Sequence, residues 1–302
     1  MRSSCIQKSF FGCSAIFLFF VTVTILLLVS SNLPEFRFTS PETESKEYVI
    51  GYDKLSNEKI INATFSWKLV DNRLKKKKFQ ISFKLLEKDV REAMDYIEMI
   101  STMSYKELGL ERNYGDPMIE ARVVWAEVYR RVFYYSAPKM NTVIEGFDKI
   151  FSEENFDDRD KVYFMITFVQ NIRYDRPGGD LDLFPPLGTL AYRFGDCDSK
   201  AMLLYVILER MNVDCAMLWS YYYKHAMLGI KVNGRGNFLT ANGKNYYFLE
   251  TTYPNWNVGE IPPEFSNTKF WFISEIDAEK GNKQKQLNGL KESLKPSPAI
   301  PE

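Results

Sequence analysis

The chain has 302 residues, 45% apolar and 15% aromatic, enough to bury a sizeable core and too many for a mostly disordered polymer. Thirty-nine basic residues balance 39 acidic ones, so no overall field draws the chain to nucleic acid, no nucleic-acid-reading motif occurs, and no nucleic-acid partner is expected. Four cysteines exclude a disulfide-dense scaffold, and the single histidine, His225, must carry any imidazole chemistry.

The first element in chain order is apolar. No residue from Ser9 to Pro34 is charged, which is long enough to cross a hydrocarbon core of ~30 Å as a helix. A transmembrane signal anchor is expected over residues 10–31. Arg2 and Lys8 precede it without an acidic residue, so residues 1–9 should be cytoplasmic and the remainder extracytoplasmic. Val29-Ser30-Ser31 resembles a cleavage site, but the apolar run exceeds the ~7–15 residues of a secretory signal, which favours an uncleaved membrane anchor. Residues 32–46 are polar and read as a linker.

Residues 47–156 should form a strand pair followed by a helical region. Phe65, Trp67 and Leu69, then Phe79, Ile81, Phe83 and Leu85, recur at period two on either side of a basic Arg73-to-Lys78 turn. From Leu86 the period becomes helical through Val90, Met94 and Ile97, and Asp116-Pro117 starts a second helix through Val123 and Val128. A third helix is expected from Asp157 to Ile172. The Lys/Gln/Asn/Pro-rich tail, 277–302, is expected to be disordered.

Residues 157–276 carry the chemistry. Phe194-Gly195-Asp196-Cys197-Asp198-Ser199-Lys200 leads into an almost continuously apolar helix ending near Asn212, which should be the central buried one. Cys197 stands at the amino terminus of that helix, where free N–H groups and the helix dipole favour a thiolate. Asp196 and Asp198 oppose that effect and read as helix-start carboxylates. Four β-rich runs follow: Val213 to Trp219, His225 to Val232, Tyr246 to Thr252 and Phe270 to Ile273. They suggest an antiparallel sheet packed on the cysteine helix, with His225 opening one strand and Glu250 near the end of another. Adjacent antiparallel strands would make the imidazole and the carboxylate neighbours.

Cys215 lies in an apolar run and reads as core. A Cys197–Cys215 disulfide is excluded by the intervening helix, since ~14 residues span ~21 Å and three more return at most ~10 Å. Neither C-x-x-C nor H-E-x-x-H occurs, and no nucleotide fingerprint is present, so no metal and no cofactor are expected.

Gly195-Asp196-Cys197-Asp198-Ser199-Lys200-Ala201 resembles the nucleophile signature G-D-C-[ED]-x-[KA]-A of transglutaminase-like proteins, members of the papain-like thiol superfamily. His225 and Glu250-Thr251-Thr252-Tyr253-Pro254 follow in the family's order. The resemblance covers roughly Asp157 to Phe272 and implies an α+β, papain-like/transglutaminase-like core with a catalytic Cys197-His225-Glu250 triad. Many relatives carry Asp at the third position, and Glu250 adds a methylene. Such a triad would cleave or exchange amide bonds of a protein or peptide substrate, passing the acyl group to water or to an amine. The Cys197 N–H would stabilise the oxyanion, with Gln170 or Asn171 as a second donor. The alternative is a catalytically inactive module with a binding or structural role in the cell envelope.

Overall fold

Alternating apolar side chains build the first sheet. In the computed structural model, which describes residues 44–52, 58–70, 76–110, 114–274 and 276, strands β2 (Ile60–Val70) and β3 (Lys76–Leu86) pair antiparallel, with Trp67 opposite Phe79. The expected strand pair is present, its inward face carried by Ala63, Trp67, Leu69, Phe79, Ile81 and Phe83. The basic turn is shorter than expected, because Lys76 already pairs with Val70.

A strand not expected from the sequence, β1 (Glu44–Gly51), lies parallel to β3 on its other side. The linker expected over 32–46 therefore ends before Glu44. Glu44, Lys46 and Glu47 disguise the strand as polar chain, but the strand is anchored on a nearly buried carboxylate: Glu154 accepts from Tyr48 Oη at 2.6 Å and from Lys77 Nζ at 2.6 Å, with Lys46 Nζ at 3.7 Å.

Helix α1 (Glu87–Ser101) follows, then α2 (Pro117–Ser136), started by Asp116, whose side chain accepts from the Met118 N–H, with Pro117 in the first turn. A 3-10 turn (Ala137–Met140) runs into α3 (Asn141–Glu154), and α4 (Asp158–Gln170) is capped by Asp157. Helix α3 was not expected from the sequence, so the helix expected from Asp157 is the fourth. No side chain caps the start of α3, and its end is marked only by left-handed Asn155.

These helices share a core with the first sheet. Phe147 from α3 and Phe164 and Phe168 from α4 meet Trp67, Phe79 and Phe83, at ring separations of 5.0 Å for Phe79–Phe164, 5.2 Å for Trp67–Phe168 and 5.9 Å for Phe83–Phe147. Residues on both sides of position 156 are thus packed together.

The second half supplies the short helix α5 (Pro186–Tyr192), the helix α6 (Cys197–Arg210) and a five-stranded antiparallel sheet. Its strands are β6 (Cys215–Ser220), β7 (His225–Ile230), β8 (Phe238–Ala241), β9 (Lys244–Leu249) and β10 (Phe272–Ser274), ordered β10-β6-β7-β9-β8. Four of them answer the four β-rich runs. The fifth, β8, was hidden between glycines; it forms a hairpin with β9 through Asn242-Gly243, both at positive φ as a tight primed turn requires. A two-residue parallel ladder, β4 (Arg173–Tyr174) with β5 (Phe194–Gly195), ties the chain after α4 to the approach of α6.

Every side chain from Ala201 to Leu208 is buried, which makes α6 the central helix, packed on β6 and β7. Each of its larger apolar groups contributes about 1.5–3 kcal/mol on burial. The chain is therefore α+β with a cysteine-bearing helix on an antiparallel sheet. The expected cytoplasmic segment 1–9, membrane span 10–31, linker as far as residue 43 and tail 277–302 lie outside the described residues. Among the described residues, no helix is long and apolar enough to cross a membrane.

Candidate active site

Cys197 is the first residue of α6, and Asp196 is its cap: the Asp196 carboxylate accepts from the Ser199 N–H at 2.9 Å and the Ser199 hydroxyl at 2.6 Å. Gly195 comes so close to Ser199 and Thr189 that an added Cβ would lie 2.8 Å from the Ser199 Cβ. A side chain there would push the cap off the helix.

The sulfur itself is nearly enclosed, with Cys197 only 5% exposed. It donates to Asp198 Oδ2 at 3.4 Å. Tyr129 Oη donates to the other oxygen of Asp198. Burial, followed by the charges of Asp198 and Asp196, pushes the Cys197 thiol well above its ordinary range, and the Ala226 N–H offsets only part of this. This overturns the thiolate expected from the helix terminus: a dipole effect of about 1 kcal/mol is outweighed by desolvation and two neighbouring carboxylates.

His225 opens β7 opposite Ser220, and its ring lies on Phe265 with centroids 4.5 Å apart and planes at 27°. Its Nε2 is 2.8 Å from Glu250 Oε2. Glu250 follows the last residue of β9, and the β7–β9 ladder ends at Leu228–Leu249, so the two side chains meet just beyond the pairing. The helix that Cys197 heads packs on β7, and no hydrogen bond joins sulfur and imidazole among the described residues.

Glu250 is 1% exposed, and its Oε1 accepts from the Thr252 N–H at 2.7 Å and the Thr252 hydroxyl at 2.6 Å. Burial acts to raise its pKa, but the bond and charge of His225, with the two bonds from Thr252, outweigh it and hold the carboxyl below its usual range. The longer arm of Glu is therefore held at both oxygens, one to the imidazole and one to the chain two residues on.

The expected second oxyanion donors are elsewhere. Gln170 is buried and gives Nε2 to the carbonyls of Glu250 and Trp256, each at 2.9 Å. Asn171 gives Nδ2 to Thr167 O at 2.8 Å. Both are structural ties. Tyr174 is a candidate donor that periodicity could not reveal, being an isolated tyrosine in a two-residue strand. It pairs in register with Gly195, its ring stacks on Tyr253 at 6.1 Å, and it is 40% exposed. Its hydroxyl has no hydrogen-bond partner among the described residues, and burial, then the charges of Cys197 and Asp196, push its pKa up to about 12.

Lys200 also escaped the sequence reading as a site component. It is fully buried, and its ammonium donates to the carbonyls of Gln170 at 3.2 Å, Ile172 at 2.7 Å and Thr252 at 2.9 Å. Burial pushes its pKa down to about 7, against a smaller opposing effect of Glu250. It fastens the helix of Cys197 to the segments carrying Tyr174 and Glu250.

The metal-type atoms of Asp196, Cys197 and Asp198 lie within 4.8 Å of one another. Three donors fall short of the four of a structural zinc site, and the carboxylates already serve as helix cap and as acceptors for Tyr129 and Cys197. Cys215 is free, buried and bonded to Tyr205 O at 3.9 Å and Glu209 Oε1 at 3.7 Å, as befits a core residue.

Comparison with known proteins found no matching family model, no matching curated protein and no matching solved structure.

Proposed function

We propose that this chain is a thiol acyl-transfer enzyme of the transglutaminase-like, papain-like class, acting on amide bonds of a protein or peptide. The observation that carries the reading is the 2.8 Å contact of His225 Nε2 with a Glu250 carboxylate fixed by Thr252, on the strand packed against the helix that Cys197 heads. With Nε2 engaged, Nδ1 is the nitrogen left to receive the thiol proton.

The sulfur would add to the amide carbonyl as its proton passes to His225 Nδ1. The Cys197 N–H, which has no acceptor within the helix at this first position, and the Tyr174 hydroxyl would stabilise the oxyanion. Collapse would break the C–N bond, with the His225 proton leaving on the amine, and water or a second amine would then take the acyl group from sulfur. Hydrolysis is the favoured outcome, because the reading places the site outside the membrane, in abundant water. Residues 10–31 would anchor the enzyme by a single span, which protease protection of residues 1–9 in intact vesicles tests.

Iodoacetamide labelling of the full chain tests the chemistry. Cys197 should react at pH 7 much faster than Cys215, and His225→Ala should slow it at least tenfold. Equal, slow labelling of both thiols would instead support a second reading, an inactive binding or structural module, which the 5% exposure of Cys197 and its bond to Asp198 favour.

A further inference from the structure

Away from the sulfur, a groove of about 410 Å³ runs between the outer edge of β2 and the β4–β5 ladder. Thr64 and Ser66 line it from β2, Asn171 and Arg173 from the end of α4 and β4, and Tyr192 and Arg193 from the end of α5. No carboxylate lines it. Arg193 has no acidic partner among the described residues; Arg173 lies over the Phe194 ring at 5.0 Å and has an exposed pair with Asp175 at 3.2 Å, of a kind that contributes little and exchanges readily. Arg193 also holds a left-handed backbone, φ 62°, at the end of α5, where Gly or Asn is the usual occupant. Arginine stands there against its conformational preference.

The second feature of the groove is its wall. In the order β1-β3-β2, strand β2 is an edge, and among the described residues no strand pairs its outer side. Such an edge accepts an extended chain by backbone hydrogen bonding, while two guanidiniums accept carboxylates by paired N–H donors.

We propose that this groove is an exosite for an extended, acidic peptide segment of the substrate, docked along β2 with its carboxylates on Arg173 and Arg193. Arg193 precedes Cys197 by four residues, at most ~14 Å of chain, so a substrate held there remains within a few residues of the sulfur. The assignment of the bound segment as substrate rests on the thiol-enzyme reading. The binding site does not.

The test uses the full chain in detergent with Cys197→Ala, so that nothing turns over. Fluorescence anisotropy would follow a labelled alternating Glu/Val peptide and its Gln/Val analogue. The Glu peptide should bind at least tenfold tighter, and Arg173→Gln with Arg193→Gln should remove that preference while leaving the alkylation rate of Cys197 unchanged in the otherwise native chain. Equal binding of the two peptides, or unaltered binding to the double variant, overturns the exosite. Displacement by inorganic phosphate or free glutamate at the same anion concentration as the peptide overturns the peptide assignment, since it leaves a site for small anions. Failure of the thiol reading shows separately, as equal slow labelling of Cys197 and Cys215.

Discussion

Cys197 gives its hydrogen bond to Asp198, the next residue in the chain, while His225 gives its Nε2 side to Glu250. The resting sulfur is thus held as a thiol beside a buried carboxylate that Tyr129 also grips. Asp198→Asn should lower the thiol pKa, because it removes a like charge from the developing thiolate. The alkylation rate of Cys197 at pH 7 should then rise about tenfold as the thiolate fraction grows. A slower rate in the variant would show that Asp198 assists the sulfur.

Tyr174→Phe removes one hydroxyl and keeps the ring on Tyr253. If that hydroxyl serves the oxyanion, kcat should fall about 100-fold with KM nearly unchanged, in the range seen for losing one such donor. Alkylation of Cys197, which builds no oxyanion, should keep its rate.

Glu250→Gln leaves the imidazole without a negative partner, and Thr252→Val leaves the carboxylate with one anchor fewer. The first should lower kcat by 100-fold or more, and the second by about tenfold, through looser orientation of the ring. Rates for the two variants and their pH profiles check the order. A Thr252→Val variant as impaired as Glu250→Gln would show that the carboxylate cannot hold the imidazole without both bonds.

Stability should respond to pH through Glu209, whose carboxyl is pushed up to about 7, chiefly by burial. Between about pH 4.3 and 7 the folded chain holds a proton on Glu209 that the unfolded chain releases, so this contribution is present in acid and is lost as pH rises through 7. Glu209→Gln should flatten that slope, shrinking the difference in Tm between pH 5 and pH 7 by a few degrees. Thermal melts at the two pH values suffice. An unchanged slope would rule out Glu209 as its source.

Lys200→Met retains volume but strips donors from three buried carbonyls. Loss of about 3 kcal/mol or more is expected, since each stranded acceptor costs about 1–3 kcal/mol. Denaturant unfolding measures it; a loss below 1 kcal/mol would show that the carbonyls find other partners.

The triad candidates were legible because residue order and strand topology agree: His225 begins one strand, Glu250 follows the end of its neighbour, and Cys197 heads the helix packed on that sheet. What surrounds them was not legible. Asp196 and Asp198 look alike in sequence, yet one caps the helix and the other binds sulfur, a division set by helical rotation and by the arrival of Tyr129 from 69 residues earlier. Gln170 was singled out for its amide, which backbone carbonyls 80 and 86 residues later consume. The direction of the thiol shift depended on burial, which a local motif does not encode. In the fold, β1 and α3 were missed for opposite reasons. The strand shows charge where period two should show apolar residues, and the helix lacks a side-chain start signal.

The Lys200 ammonium lies where the cysteine helix, the strand of Tyr174 and the turn after Glu250 converge, and it grips only backbone oxygens. Side chains on the bordering loops can therefore be exchanged without touching this fastening. Exposed positions on those loops, such as Asp180 and Pro254, can vary while Cys197, His225 and Glu250 keep their spacing.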